Sequence, residues 1–207
     1  MPTKLFFELQ DDKQRKIISA GISEFASHGY SNASTNTMVK NCGISKGSLF
    51  KYFANKEELY FFILDIITEE LIEHIELEVA NFSSELFQRI IDYATQEFSW
   101  YIKNPEKSKM IIGAFTESNM EIYQKTVTRY GDKESNIFYK LLQDIDLNDF
   151  RWDREKTIDI LKWFLKGFNE DFQRTTHWDG NNFVFLCNEY VKSLKDYLEI
   201  LKDGLLS

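Results

Sequence analysis

Side chains able to make or break bonds are few here, and they do not gather. His28, His74 and His177 share no spacing with one another or with Cys42 and Cys187 that would build a zinc site or pair a base with a nucleophile. The two cysteines lie far apart and read as free thiols of a reducing compartment. No glycine-rich phosphate loop is present, and the many acids read as solvated faces of long helices. No catalytic residue, metal ligand or cofactor site is therefore expected, and the chain does not read as an enzyme. What does gather is binding chemistry: Ser45, Lys46, Gly47, Ser48, Phe50, Lys51 and Tyr52 fall within eight residues. Small side chains, hydroxyls and lysines make a poor core face. They suit a helix whose N-terminal end enters a DNA major groove, with free N–H groups and hydroxyls meeting phosphate oxygens.

The elements that must position those residues follow from the pattern around them. Ile18, Ile22 and Phe25 recur at helical spacing, and Gly29 reads as the stop of that helix. A short helix follows from Ser34 or Thr35 as cap to about Asn41, and Gly43 can take the left-handed conformation of a sharp turn. Ser45 caps the next short helix. Met38, Val39, Ile44, Leu49 and Phe53 can then pack on the Ile18/Ile22/Phe25 face. Asn55-Lys56-Glu57-Glu58 is a cap with an acid three residues on, opening a helix to about Val79. Further helices are expected from Ser83 or Ser84 to Lys103, over 105–118, over 119–145 bent or split at Gly131, over 153–176 and over 182–202, with a turn at His177–Gly180.

Composition supports an all-helical chain: 2 Pro and 9 Gly in 207 residues leave few breakers. The net charge of −8 argues at first against nucleic acid. Its distribution does not. Residues 1–56 hold eight Lys and Arg against four Asp and Glu, net +4, so the rest of the chain carries −12. A basic head on an acidic body is the asymmetry of a small module that touches phosphate, although four surplus charges could also be plain solvated surface. The run Leu5-Phe6-Phe7 is too short for a secretory h-region, and no stretch reaches membrane-span length, so a cytoplasmic location without membrane contact is expected.

The segment from Lys16 to Tyr60 resembles the N-terminal domain of the tetracycline-repressor-type (TetR-like) family of bacterial transcriptional regulators. The likeness is densest over Gly43-Ile44-Ser45-Lys46-Gly47-Ser48-Leu49-Phe50-Lys51-Tyr52-Phe53 and Asn55-Lys56-Glu57-Glu58-Leu59, with Phe25, Gly29-Tyr30 and Ser34-Thr35 around it. Phe50 stands where a tyrosine is commoner, and Met38, Val39 and Cys42 replace the usual small and β-branched residues. The resemblance implies that Thr35, Tyr52 and Lys56 hold phosphates. Ser45, Lys46, Gly47, Ser48 and Lys51 would lie along the groove, with Lys46 or Ser48 reaching base edges. Asn55 reads as a cap alone, while Thr35 and Ser45 are expected both to cap and to touch phosphate.

The fold expected is thus all-α: a three-helix head with the helix-turn-helix over 1–56, then a helical ligand-sensing and dimerisation bundle over 57–207, about nine helices in all. In the bundle, Ile158, Leu161, Leu165, Phe168 and Phe172 alternate by three and four, as do Phe183, Leu186, Tyr190, Leu194, Tyr197, Leu201 and Leu205. Each helix also carries a second apolar set, so each has two neighbours; a thick core within one chain is the alternative. The resemblance implies a homodimer through these two helices, with Leu161, Leu165, Phe168, Leu186, Tyr190 and Leu194 at the interface. It also implies an effector pocket, for which Phe98, Tyr101, Phe115, Tyr123, Trp163 and Phe164 are the candidates. Those side chains suit a partly apolar small molecule, and the −12 body favours a neutral or cationic one. The function expected is a ligand-responsive repressor on a near-palindromic double-stranded DNA operator. The alternative is a helical interaction or dimerisation protein without an effector. Intact Lys46, Lys51 and Lys56 argue against a vestigial head.

Overall fold

The computed structural model describes residues 1–146, 150, 152–175 and 183–205. Among them are ten α-helices, one turn of 3-10 helix and no strand. The helices are α1 (Lys4–Phe7), α2 (Asp11–Asn32), α3 (Thr35–Cys42), α4 (Lys46–Tyr52), α5 (Lys56–Glu78), α6 (Leu86–Lys103), α7 (Pro105–Phe115), α8 (Met120–Leu142), α9 (Arg154–Thr175) and α10 (Phe183–Leu205), with the 3-10 turn Val79–Asn81 after α5. The chain is all-α, as its breaker-poor composition implies. His177 and the turn expected around it lie outside the described residues.

Helix starts follow the side chains that can satisfy free N–H groups. Pro105 occupies the first turn of α7. The Asn55 side chain accepts the Glu58 N–H at 2.8 Å while the Glu58 carboxylate accepts the Ala54 N–H at 2.5 Å, a capping-box variant. Asp153 accepts the Lys156 N–H at 3.0 Å ahead of α9. Helix α6 begins later than Ser83 or Ser84, because Ser83 supports a preceding turn and the Glu85 carboxylate takes the Gln88 N–H at 2.7 Å. Gly131 does not split α8.

Packing divides the chain into two compact units. The first comprises 1–71 with 104–130, the second 72–103 with 131–207. In the first unit α7 lies along α2, and Ile17, Phe25, Met38, Leu49, Phe53, Leu59 and Ile63 close the core around α3 and α4. Gly21 lets α2 and α5 meet: a Cβ there would stand 2.3 Å from Ile63 Cδ1. Helix α1 has no counterpart in the sequence-based reading. Its Phe6 is fully buried, with its ring centroid 5.0 Å from that of Phe53 and 5.3 Å from that of Phe62.

In the second unit α10 packs on α6 and α9. Arg89 is buried there, donating to the Leu141 carbonyl at 2.6 Å and the Ser83 carbonyl at 3.1 Å. The expected interface residues divide. Leu161 and Leu194 are 0 % exposed within the single chain, and Leu165 and Tyr190 are also buried, so the chain itself already covers these four. Phe168 and Leu186 are half-buried. The outward apolar side chains are instead Trp163 (65 % exposed), Val184, Phe185, Tyr197 and Ile200 (68 %). Periodicity shows that both faces are apolar; the packing on α6 selects the inner one.

Candidate nucleic-acid interface

Gly43 joins α3 to α4 at φ 68°, ψ 31°, a left-handed conformation that a Cβ would penalise. The turn closes when the Ile44 N–H reaches the Val39 carbonyl at 3.0 Å. Met38, Val39 and Leu49 turn inward, which leaves the opposite side of α4 to solvent. The Ser45 hydroxyl accepts the Ser48 N–H at 3.0 Å and lies 2.8 Å from the Ser48 hydroxyl, so two hydrogen bonds join the serines at the head of the helix. Lys46, Gly47 and Lys51 are exposed, Phe50 is 40 % exposed, and Ser48 and Tyr52 are half-buried. Lys46, Gly47, Phe50 and Lys51 form an outward strip, flanked by Ser48 and Tyr52.

Two of the expected contacts sit differently. Ser34, not Thr35, is the N-cap of α3, accepting the Thr37 N–H at 3.5 Å, so Thr35 opens the helix with no capping role. Lys56 does not join the strip. Its Nζ donates to the carbonyls of Tyr30 at 2.7 Å, Ala33 at 3.2 Å and Ser31 at 3.3 Å, and it lies 4.6 Å from the centre of the Tyr30 ring. An ammonium has three donors, and all three are engaged. Asn55 is the cap it was expected to be.

Several supporting residues escape a sequence reading. Thr3 donates its N–H to the Tyr52 carbonyl at 2.9 Å and its hydroxyl to the Lys51 carbonyl at 2.8 Å, tying the last turn of α4. Glu24 is buried and accepts the Ser34 N–H at 2.8 Å. Its only sequence signal is an acid on the apolar stripe after Ile17 and Gly21. Glu117, between α7 and α8, accepts the Ser31 hydroxyl at 2.8 Å, the Tyr30 N–H at 2.9 Å, the Asn119 N–H at 3.1 Å and the Ser118 hydroxyl at 3.3 Å. Burial pushes its carboxyl up, but the hydrogen bonds from Asn119, Ser31, Tyr30 and Ser118 outweigh that and hold it below the usual range.

The six candidate effector-pocket residues are not brought together in one unit. Phe115 and Tyr123 belong to the first, Phe98, Tyr101, Trp163 and Phe164 to the second. Phe98 and Tyr101 are closed into the interior, with the Phe98 ring 4.0 Å from that of Tyr190, whereas Trp163 faces outward. Two of the open hollows among the described residues bear on this. One of about 470 Å³ lies in the first unit against Arg15, Ile18, Ile22, Ile66, Glu70 and Lys107. The other, about 380 Å³ in the second unit, is lined by Phe164, Phe168, Phe172 and Tyr197 with Asp171 at its rim. Among the described residues no three His, Cys, Asp or Glu stand as a metal site, and no helix is long and apolar enough to cross a membrane. Burial pushes the Cys187 thiol up to about 11, which keeps it protonated.

Comparison with known proteins places this geometry among relatives. Residues 17–61 match the family described as bacterial regulatory proteins, tetR family, and residues 81–206 match the tetracyclin repressor-like C-terminal domain. The nucleoid occlusion factor SlmA of Glaesserella parasuis serovar 5 is 25 % identical over 151 residues, 73 % of each chain. The fatty acid metabolism regulator protein of Bacillus subtilis is 22 % identical over 113 residues, 55 % of this chain and 58 % of that one. Among solved structures, a TetR family transcriptional regulator from Chloroflexus aurantiacus superposes with a TM-score of 0.64 at 19 % identity, covering 100 % of this chain and 99 % of that one. FadR from Bacillus subtilis, in complex with stearoyl-CoA, does so at 0.61 and 18 %, covering 87 % and 96 %.

Proposed function

Because this chain belongs to the tetR family of bacterial regulatory proteins, which are DNA-binding regulators of transcription, we propose that it is a ligand-responsive repressor acting as a homodimer on a near-palindromic operator. The observation that carries the DNA end is the strip on α4. Every apolar residue of the helix-turn-helix except Phe50 is turned inward or half-buried, and Lys46, Gly47 and Lys51 stand clear of the protein. Lys51 and Tyr52 would hold phosphates, Thr35 a further one from the start of α3, and Lys46 and Ser48 would meet base edges. Phe50, which lacks the commoner tyrosine hydroxyl, suits a thymine methyl.

The outward side chains Trp163, Val184, Phe185, Tyr197 and Ile200 support the dimer, because exposed apolar residues this large on two helices mark an interaction surface. A homodimer reading the two halves of a near-palindromic operator needs its two α4 helices about 34–36 Å apart, one turn of DNA. The effector would be a partly apolar small molecule. The stearoyl-CoA held by Bacillus subtilis FadR lends support to that class.

One observation favours the reading without an effector: Phe98 and Tyr101 pack into the interior rather than around open space. The purified protein is titrated against duplex DNA from its own upstream region across a salt series, then challenged with neutral, cationic and acyl-CoA compounds. Salt-dependent binding that weakens with one compound class supports the repressor. Salt-dependent binding indifferent to all three supports a regulator without an effector, and no salt-dependent binding to any duplex overturns the proposal.

A further inference from the structure

We propose that Lys56 and Glu117 are positioning residues that grip the Gly29–Ser34 segment from its two chemical sides, set the pose of α3 and α4, and touch no DNA. The inference rests on the DNA-binding reading above.

The segment is the kinked end of α2 together with its link to α3. Regular helix stops at Gly29, whose φ of 67° and ψ of 176° throw the chain out of the α2 axis. Beyond it the carbonyls of Tyr30, Ser31 and Ala33 converge on Lys56 Nζ. On the other side Glu117 Oε2 takes the Tyr30 N–H and Oε1 the Ser31 hydroxyl. A Cβ on Gly29 would come 3.4 Å from that same Oε2, so the carboxylate sits directly on the turn. Tyr30 thus has its N–H on an anion and its C=O on a cation, and neither adjoining peptide can rotate without breaking a charge-assisted bond. Its ring is fixed as well, 5.1 Å from Tyr60 and under the Lys56 ammonium.

The grip passes directly to the interface. Glu24 holds the Ser34 N–H, and Ser34 caps α3. Thr35, the first residue of α3, is two positions beyond Ala33, the last carbonyl that Lys56 holds. A lysine free to meet phosphate would show at least one idle donor; this one shows none. The Glu117 carboxylate is engaged as fully. Here it has four donors, two of them on the segment that carries α3.

The test is salt-dependent binding of the full chain to a labelled duplex from its own upstream region and to an unrelated duplex, between roughly 50 and 200 mM salt. Lys51→Ala serves as the phosphate-contact control and lowers the log–log slope by about 0.9. Lys56→Met weakens binding about tenfold with the slope unchanged, because a misaligned α4 loses fit and not a released counterion. Glu117→Gln also weakens binding, although removing a negative charge by itself favours DNA. The double variant loses less than the two effects combined, since both act on one turn.

A slope reduced by about 0.9 in Lys56→Met makes Lys56 a phosphate contact and overturns the proposal. So does unchanged or tighter binding by Glu117→Gln. Stoichiometric titration gives the binding-competent fraction of each variant, so misfolding is not mistaken for misalignment. If Lys56→Met does not fold, Ser31→Ala removes one bond to Glu117 and leaves both charges. It weakens binding with no slope change if the grip positions α3, and its full affinity counts against the proposal. Absence of salt-dependent binding by the unmodified protein strikes the DNA reading itself, whereas a normal parent slope with shifted variant slopes strikes only this one.

Discussion

Two hydrogen bonds join Ser45 and Ser48 at the head of α4, yet substitution at each has its own consequence. Ser45→Ala removes the cap and costs about 1 kcal/mol in a denaturant melt. Ser48→Ala leaves the cap acceptor in place, so it alters which operator is preferred with little change in the melt. A reversed pattern, stability lost at Ser48 and preference shifted at Ser45, would sink the assignment of cap and reader. Glu117 yields a pH prediction. Its folded carboxyl is held below the ordinary range, so its bonds stabilise the fold above the unfolded value of about 4.3 and lose that effect as pH falls through the folded value. Glu117→Gln is therefore less stable than the parent at neutral pH, and the two converge well below about pH 4. Denaturant midpoints at the two pH values check it; a gap that persists in acid would mean the carboxylate charge is not what holds the turn.

Among the elements, two glycines carry different loads. At Gly43 a Cβ would meet nothing within 4 Å, so only the left-handed backbone resists substitution. Gly43→Ala should cost about 1–2 kcal/mol. At Gly21 the backbone is helical and the obstacle is Ile63 Cδ1 at 2.3 Å, the far end of a flexible side chain. Gly21→Ala should cost about 1–3 kcal/mol through overpacking. Pairing it with Ile63→Val, which removes that methyl, should recover part of the loss, while the same partner should do nothing for Gly43→Ala. Thermal melts of the four variants decide this. Equal response to Ile63→Val would show that Gly21 is not the contact that lets α2 and α5 meet.

For the whole molecule, the proposed dimer rests on the outward face of α9 and α10. Tyr197→Glu and Ile200→Glu place charge on exposed apolar positions and should yield folded monomers, read by light scattering with helical circular dichroism retained. Leu194→Glu buries a charge in a side chain that is 0 % exposed and should yield unfolded or insoluble protein instead. A monomer at micromolar concentration for the unmodified chain would remove the dimer, and with it the near-palindromic operator. The second unit also shows why hollows and aromatics are separate matters. Phe98 and Tyr101 are interior packing, while the hollow beside α9 is lined by Phe164, Phe168 and Phe172, of which only Phe164 was a pocket candidate.

By itself the sequence determined whatever depends on neighbours in the chain. Breaker scarcity made the protein helical, Gly43 and Ser45 set the helix-turn-helix, and the Ser, Lys and Gly types from Ser45 to Lys51 marked its outer strip, because caps, turns and exposed polar faces are local properties. Tertiary structure alone decided what depends on distant partners. The family resemblance makes Lys56 a phosphate lysine until three carbonyls from Tyr30 to Ala33 take its donors, and Glu117 reads as the end of a helix over 105–118 until it meets Ser31 from 86 residues away. Periodicity gave α9 and α10 two apolar faces each but could not say which was inside. Packing against α6 put Leu194 inward and left Tyr197 and Ile200 outward, since burial belongs to the assembled core and not to the helix.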